Sequence, residues 1–237
     1  MWLMMMLGGA LAGELDGERL TWSLSFAGIT AGEAWATVKP GPTSDQQIIE
    51  AGARNADWYG AIYSIDDFIR STGSLTSGSV RYETRFREGG FQQDQDMTLS
   101  PEGITVWRNQ KFKEGWREWT KTYPAAPGAA DPLSALYMLR RLEGEGPWVL
   151  PVFSGEETWP LEVELLGREV WSKGVMGPVT VRVLSLRTLH EGDWEQRGKF
   201  LVYVTEDAHR VPARVVIKLN VGAIRAELIA HTPPFKE

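Results

Sequence analysis

The sequence contains no cysteine. Disulfides, thiolate nucleophiles, Cys-based metal sites and the lipid-bearing cysteine of an anchored lipoprotein are therefore excluded. Histidine is scarce too. His190, His209 and His231 are the whole set, and none has another His at ligand-like spacing, so no metal site is expected. Asp94-Gln95-Asp96 lacks the glycine and distal glutamate of a calcium loop. No G-x-S-x-G elbow occurs, and no glycine-rich run joins a strand to a helix in a phosphate-binding pattern. The paired acids Asp66-Asp67, Asp94/Asp96 and Glu156-Glu157 read as residues of polar loops, where carboxylates are solvated rather than split in pKa. No catalytic residue and no cofactor is expected, and the chain reads as a non-enzyme.

Clustered positive charge is missing as well. The formal net charge is −6 and Arg and Lys are scattered, which argues against nucleic acid as a partner. The one uncharged apolar stretch that stands out is Met1–Ala12, before the first charged side chain at Glu14. Twelve residues are too few to span about 30 Å of hydrocarbon as a helix. They fit a signal-peptide core ending in the small-x-small pattern Ala10-Leu11-Ala12, with cleavage between Ala12 and Gly13, although a basic segment before it is lacking. The expected organisation is a signal peptide at 1–12 and a single β-rich domain at 13–237. The expected location is periplasmic or secreted, with no transmembrane span once the signal is removed.

What is present favours sheets: 11 Trp and 25 Gly in 237 residues. Leu20, Trp22, Leu24 and Phe26 alternate with Thr21, Ser23 and Ser25. Val80, Tyr82, Thr84 and Phe86 alternate with Arg81, Glu83, Arg85 and Arg87. The same rhythm runs through Leu161–Leu165, Ala213–Leu219 and Ile224–Leu228. One face in a core and one in water is the mark of antiparallel strands. Turn signals at Ala27-Gly28, Pro40-Gly41-Pro42, Gly89-Gly90, Pro101-Glu102-Gly103 and Gly144–Pro147 divide the runs. Roughly a dozen strands are expected, enough to curl, split or close.

One segment breaks the alternation. Asp131–Leu142 reads as a helix, with Asp131 as N-cap, Pro132 at the first position, and Leu133, Leu136, Tyr137, Leu139 and Arg140 on an apolar flank. It either separates two small domains or lies across one sheet, and its short connections favour the latter. Trp107, Trp116, Trp119 and Tyr123 cluster in one β-rich stretch, with Trp116 and Trp119 on opposite faces. Trp107, Trp116, Trp119 and Tyr137 are candidate ligand-binding residues, against the alternative of ordinary core packing.

Three stretches together resemble a family of exported bacterial proteins catalogued as domain of unknown function 3108. They are Gly17–Ala34, with its Gly32-Glu33-Ala34 return; Asp131-Pro132-Leu133-Ser134 through Arg140; and Asp207-Ala208-His209-Arg210-Val211-Pro212 with Gly222–Leu228. The resemblance implies a mostly β fold similar to the lipoprotein-localisation carriers: a curled antiparallel sheet or incomplete β-barrel, with one helix, about 131–142, packed across it. It also implies structural roles for Asp131, Ser134, Arg140, Asp207, Arg210 and Pro212. For Asp207 two readings stay open, a pair with an Arg that fixes the helix to the barrel rim, or a determinant of its own turn. By that analogy the interior holds an apolar or lipid ligand. The expected function is that of a non-catalytic exported envelope protein binding such a ligand. The alternative is a structural or interaction module with an envelope protein partner, and a hydrolase using loop acids or Ser ranks last.

Overall fold

The computed structural model describes residues 14–56, 64–172, 174–188, 200–219 and 222–235. The expected signal segment at 1–12 lies outside them, as does His190. Among the described residues fourteen strands form one antiparallel sheet. The N-terminal eight are β1 (Arg19–Phe26), β2 (Ile29–Pro40), β3 (Gln47–Asn55), β4 (Asp66–Ser74), β5 (Gly78–Glu88), β6 (Phe91–Ser100), β7 (Gly103–Phe112) and β8 (Gly115–Tyr123). The helix α1 (Pro132–Met138) follows, continued by a 3-10 turn at Leu139–Arg141. The remaining six are β9 (Trp148–Ser154), β10 (Glu157–Trp171), β11 (Val179–Thr188), β12 (Phe200–Thr205), β13 (Pro212–Lys218) and β14 (Ala223–Thr232).

The two sets meet where β1 pairs with β14, which gives the order β8-β7-β6-β5-β4-β3-β2-β1-β14-β13-β12-β11-β10-β9. Consecutive strands pair as antiparallel neighbours except β8 and β9, which the helix segment joins and which lie at the two ends of the order. Between β1 and β2 the two central residues Ala27 and Gly28 both have positive φ, 51° and 84°. That backbone twist matches paired strands, and small residues tolerate it.

Register separates the two faces. Val38, Ile49, Ser71, Tyr82, Met97, Val106 and Lys121 lie opposite one another in a row across β2 to β8. The next row, Thr37, Glu50, Arg70, Glu83, Asp96, Trp107 and Thr120, is the outer face. Outer-face ion pairs such as Lys39–Glu50, Arg70–Glu50 and Arg81–Asp96 cross between strands. The inner face carries the core: Leu20, Val38, Ile49, Tyr82, Met97, Ile104 and Val106 pack with Leu133 and Tyr137 of α1 and with Phe153. A second cluster, Leu139, Val163, Leu184, Val202 and Val204, continues it under the C-terminal strands. Fully burying each such apolar side chain contributes roughly 1.5–3 kcal/mol.

The sheet curls until its ends meet without closing a ladder. Lys121 on β8 pairs with Glu156 at 2.6 Å, beyond the end of β9. The Arg108 guanidinium donates to the Gly155 carbonyl, and the Tyr123 and Phe153 rings sit 5.4 Å apart. The seam between the edge strands is thus made by side chains, giving an incomplete barrel rather than a closed one.

Most of the acids read as loop residues prove to be strand residues, while Glu156 stays in the β9–β10 turn. Asp94 and Asp96 lie on β6, paired with Arg87 and Arg81, and Asp66-Asp67 begin β4. The polarity of Asp66, Asp94 and Asp96 belongs to the outer face, where alternation leaves one row in water.

Candidate functional site

The helix is held to the sheet at both ends by a buried charge. At its N-terminus Asp131 is fully buried. One carboxylate oxygen accepts from the Leu133 and Ser134 amides, at 2.8 and 2.9 Å. The other accepts from the Ser71 and Ser79 hydroxyls of β4 and β5. The cap therefore satisfies two of the helix's unpaired amides and fastens them to the inner face of the sheet. Ser134 completes this cluster, its hydroxyl 2.6 Å from that of Ser71. The residues leading in are tied as well: Ala129 accepts from the Ser79 amide, and Ala130 exchanges hydrogen bonds with Pro151 and Phe153. Gly78 permits this crossing, because a Cβ there would lie 2.7 Å from the Ala129 carbonyl oxygen.

At the other end Arg140 is 3% exposed and its partner Glu18 is fully buried. Two parallel hydrogen bonds of 2.6 and 2.7 Å join them. The same guanidinium donates to the carbonyls of Arg210, at 2.9 Å, and His209, at 2.7 Å. Arg140 also lies over the Tyr137 ring, 5.2 Å from its centroid. Burial and the nearby Glu18 carboxylate push the Tyr137 phenol up, so it stays protonated. His231 of β14 approaches Glu18 to 3.5 Å and stacks edge-on against His209. Its side chain is largely buried.

The turn that receives Arg140 is built by Asp207, whose carboxylate accepts from the Thr205 hydroxyl and from the His209 and Arg210 amides. Asp207 is thus the determinant of its own turn, and the reading that it pairs with a helix or strand Arg is corrected. The charge is supplied by Glu18 instead, and the turn offers only carbonyls. Arg210, held at φ 47°, returns a hydrogen bond to the Arg140 carbonyl. Pro212 begins β13, where a missing amide costs least, and its carbonyl accepts from Trp22 Nε1 at 2.8 Å.

Beside this clamp the rim of the half-barrel opens into a cavity of ≈ 360 Å³. Leu139, Leu184 and Val204 line it together with Arg168, Arg182 and Arg210. Arg168 and Arg182 stand directly opposite each other in the β10–β11 ladder. Arg168 is neutralised by Glu145 and Glu206, which raise its pKa. Arg182 donates to the carbonyls of Leu142 and Gly144 and lies over the Trp148 ring. It has no carboxylate at ion-pair distance among the described residues. Burial and the charges of Arg168 and Arg210 lower its pKa.

The four aromatic candidates do not converge. Trp107 faces outward and donates to Glu118. Trp116 is also on the outer face, 46% exposed, with Arg87 over its ring. Trp119 points inward opposite Arg108 and leans on Phe112, while Tyr137 is sealed in the core. Ser71, Ser79, Arg168 and Arg182 were not marked by any motif, and Glu18 lay within the Gly17–Ala34 stretch without being singled out. For Arg168 a signal existed: a charged residue just after Gly167, at a register shift in a long alternating strand.

The sequence profile of the family described as "Protein of unknown function (DUF3108)" matches residues 19–229. The chain belongs to that family. The three stretches that carried the resemblance all contribute to the two clamps: Glu18 before β1, Asp131 to Arg140, and the 207–212 turn. No curated protein matches the chain at a significant level. The chain is similar to a solved structure, the crystal structure of a β-barrel-like protein of domain of unknown function DUF1849 from Brucella abortus. The TM-score is 0.61 at 10% identity, over 94% of this chain and 100% of that one. At that identity the likeness shows the fold alone.

Proposed function

We propose that this is a non-catalytic exported protein of the cell envelope that binds an amphiphile at the rim of its curled sheet. The observation that carries this reading is the cavity of ≈ 360 Å³, in which the apolar side chains of Leu139, Leu184 and Val204 meet arginines. The expectation of an apolar ligand is retained, but its place moves. The space beneath the helix is filled by Leu20, Tyr82, Met97, Tyr137 and Phe153, whereas the rim has room. The non-catalytic part is supported by the use of the buried Asp131–Ser71–Ser79 set, whose carboxylate and hydroxyls are spent on capping. Among the described residues no helix is long and apolar enough to cross a membrane. Export rests on the apolar sequence at 1–12.

The test is native mass spectrometry of the full chain recovered from the envelope fraction of its own host, with extraction and identification of what travels with it. A stoichiometric amphiphile, on a chain beginning at Gly13, is the expected result. A chain that is empty and cross-linked through β8 to another envelope protein would favour the interaction module instead.

A further inference from the structure

The register of the C-terminal strands sets two arginines face to face. Arg168 and Arg182 are directly opposed on the inner side of β10 and β11, and Arg210 enters from the turn after β12. Like charges in a directly opposed pair destabilise a sheet, so this arrangement needs a compensating anion. The protein supplies only part of it. Glu206 and Glu145 serve Arg168, and Glu143 approaches Arg210 at 3.4 Å. Arg182 has five N–H donors, of which two end on the Leu142 and Gly144 carbonyls. Its Nε is shielded from solvent and has no acceptor among the described residues.

The two loop carboxylates are poised to leave. Glu143 and Glu145 are 81% and 71% exposed, and both belong to the short segment between the 3-10 turn and β9. Exposed ion pairs of this kind are weak and exchange readily for a better-fitting anion. A planar guanidinium fork matches a carboxylate or phosphate group.

We propose that the rim cavity is a receptor site for a compact oxyanion, a carboxylate or phosphate group, anchored by Arg182 with Arg168 and Arg210, and that Glu143 and Glu145 serve as its displaceable internal counter-ions. This rests on the reading of the rim as the ligand site and specifies the head of the amphiphile. Bound ligand would take the place of Glu145 on Arg168 and of Glu143 on Arg210, while Glu206 stays.

The experiment titrates the full chain with inorganic phosphate and, separately, with sodium decanoate, reading binding by calorimetry and by the rise in Tm. Three proteins are compared: wild type, the pair Glu143→Gln/Glu145→Gln, and Arg182→Gln. Saturable one-site binding of at least one probe by wild type is expected. The Glu pair, both members exposed, should fold normally and bind roughly threefold tighter or more, since the internal competitors are gone. Arg182→Gln should lose binding, and because Arg182 also holds the 142–144 backbone, Arg182→Lys is the check: it keeps the charge, loses the fork, and should bind more weakly than wild type. Phosphate binding alone assigns the head group to the phosphate class, and decanoate binding alone assigns it to the carboxylate class. Binding of neither probe, or equal binding by all the proteins, overturns the proposal. Decanoate that binds Arg182→Gln as it binds wild type overturns the anchor yet leaves the amphiphile reading standing.

Discussion

Arg140 ties three segments together through one guanidinium: the entry to β1 at Glu18, the end of the helix, and the turn at His209-Arg210. Removing one member of such a buried pair leaves the other as an uncompensated charge. Arg140→Ala should therefore cost about 3–5 kcal/mol, read as the shift in the urea unfolding midpoint. Replacing both members with apolar residues, Glu18→Leu with Arg140→Met, should cost much less, because no charge remains buried. Equal costs for the single and the double change would contradict the clamp.

His231 provides the pH dependence at the same node. Burial lowers its pKa from the ordinary value of 6.5; Glu18 acts in the opposite sense, while His209 and Arg140 reinforce the lowering. A depressed folded value means that the unfolded chain binds the proton more readily. The stabilisation is complete above about pH 6.5 and is lost as pH falls through the lower folded value. Tm should fall between pH 7.5 and 5, and His231→Gln should flatten that part of the profile.

At the scale of elements, α1 is only seven residues long and too short to hold itself. Its caps decide its existence. Asp131→Ala removes an N-cap and orphans the buried hydroxyls of Ser71 and Ser79, so a loss of about 2–4 kcal/mol is expected. Asp207→Ala, which undoes only a turn, should cost about 1 kcal/mol. Paired urea titrations of the two variants test that order.

The sequence made much of this legible and concealed the rest for physical reasons. Asp131-Pro132 announces the helix start because capping chemistry is local, and alternation exposes the strands because the pleat has a period of two. Glu18 was invisible as Arg140's partner, since 122 residues separate them and nothing local marks a carboxylate that will be buried. Ser71 and Ser79 were equally invisible, because Ser71 lies on β4 and Ser79 on β5 with no local mark of the carboxylate that reaches them. There the inner face accepts serines because Asp131 arrives to bond them. The like-charged pair Arg168–Arg182 depends on long-range register, which periodicity does not specify.

At the scale of the whole molecule the ends of the sheet meet through side chains, and the helix lies across the interior from β4 to β9. Phe153 sits at that junction, 2% exposed, against Tyr123 and under Ala130. Phe153→Ala should cost about 3–5 kcal/mol, whereas Lys121→Ala, at the exposed part of the seam, should change little. Calorimetric unfolding of the two variants separates an apolar seam from an ionic one. The arrangement also divides the interior: a packed region under α1 and a polar-rimmed cavity beside its end, so that a ligand could enter without the helix leaving.

Hydrogen exchange of the intact protein at residues 132–141 tests that division most directly. The helix amides should exchange as slowly as those of β4 and β5, and should quicken in Asp131→Ala and Arg140→Ala. Fast exchange across 132–141 in the wild type, over a protected sheet, would make the helix a detachable lid and would contradict the account.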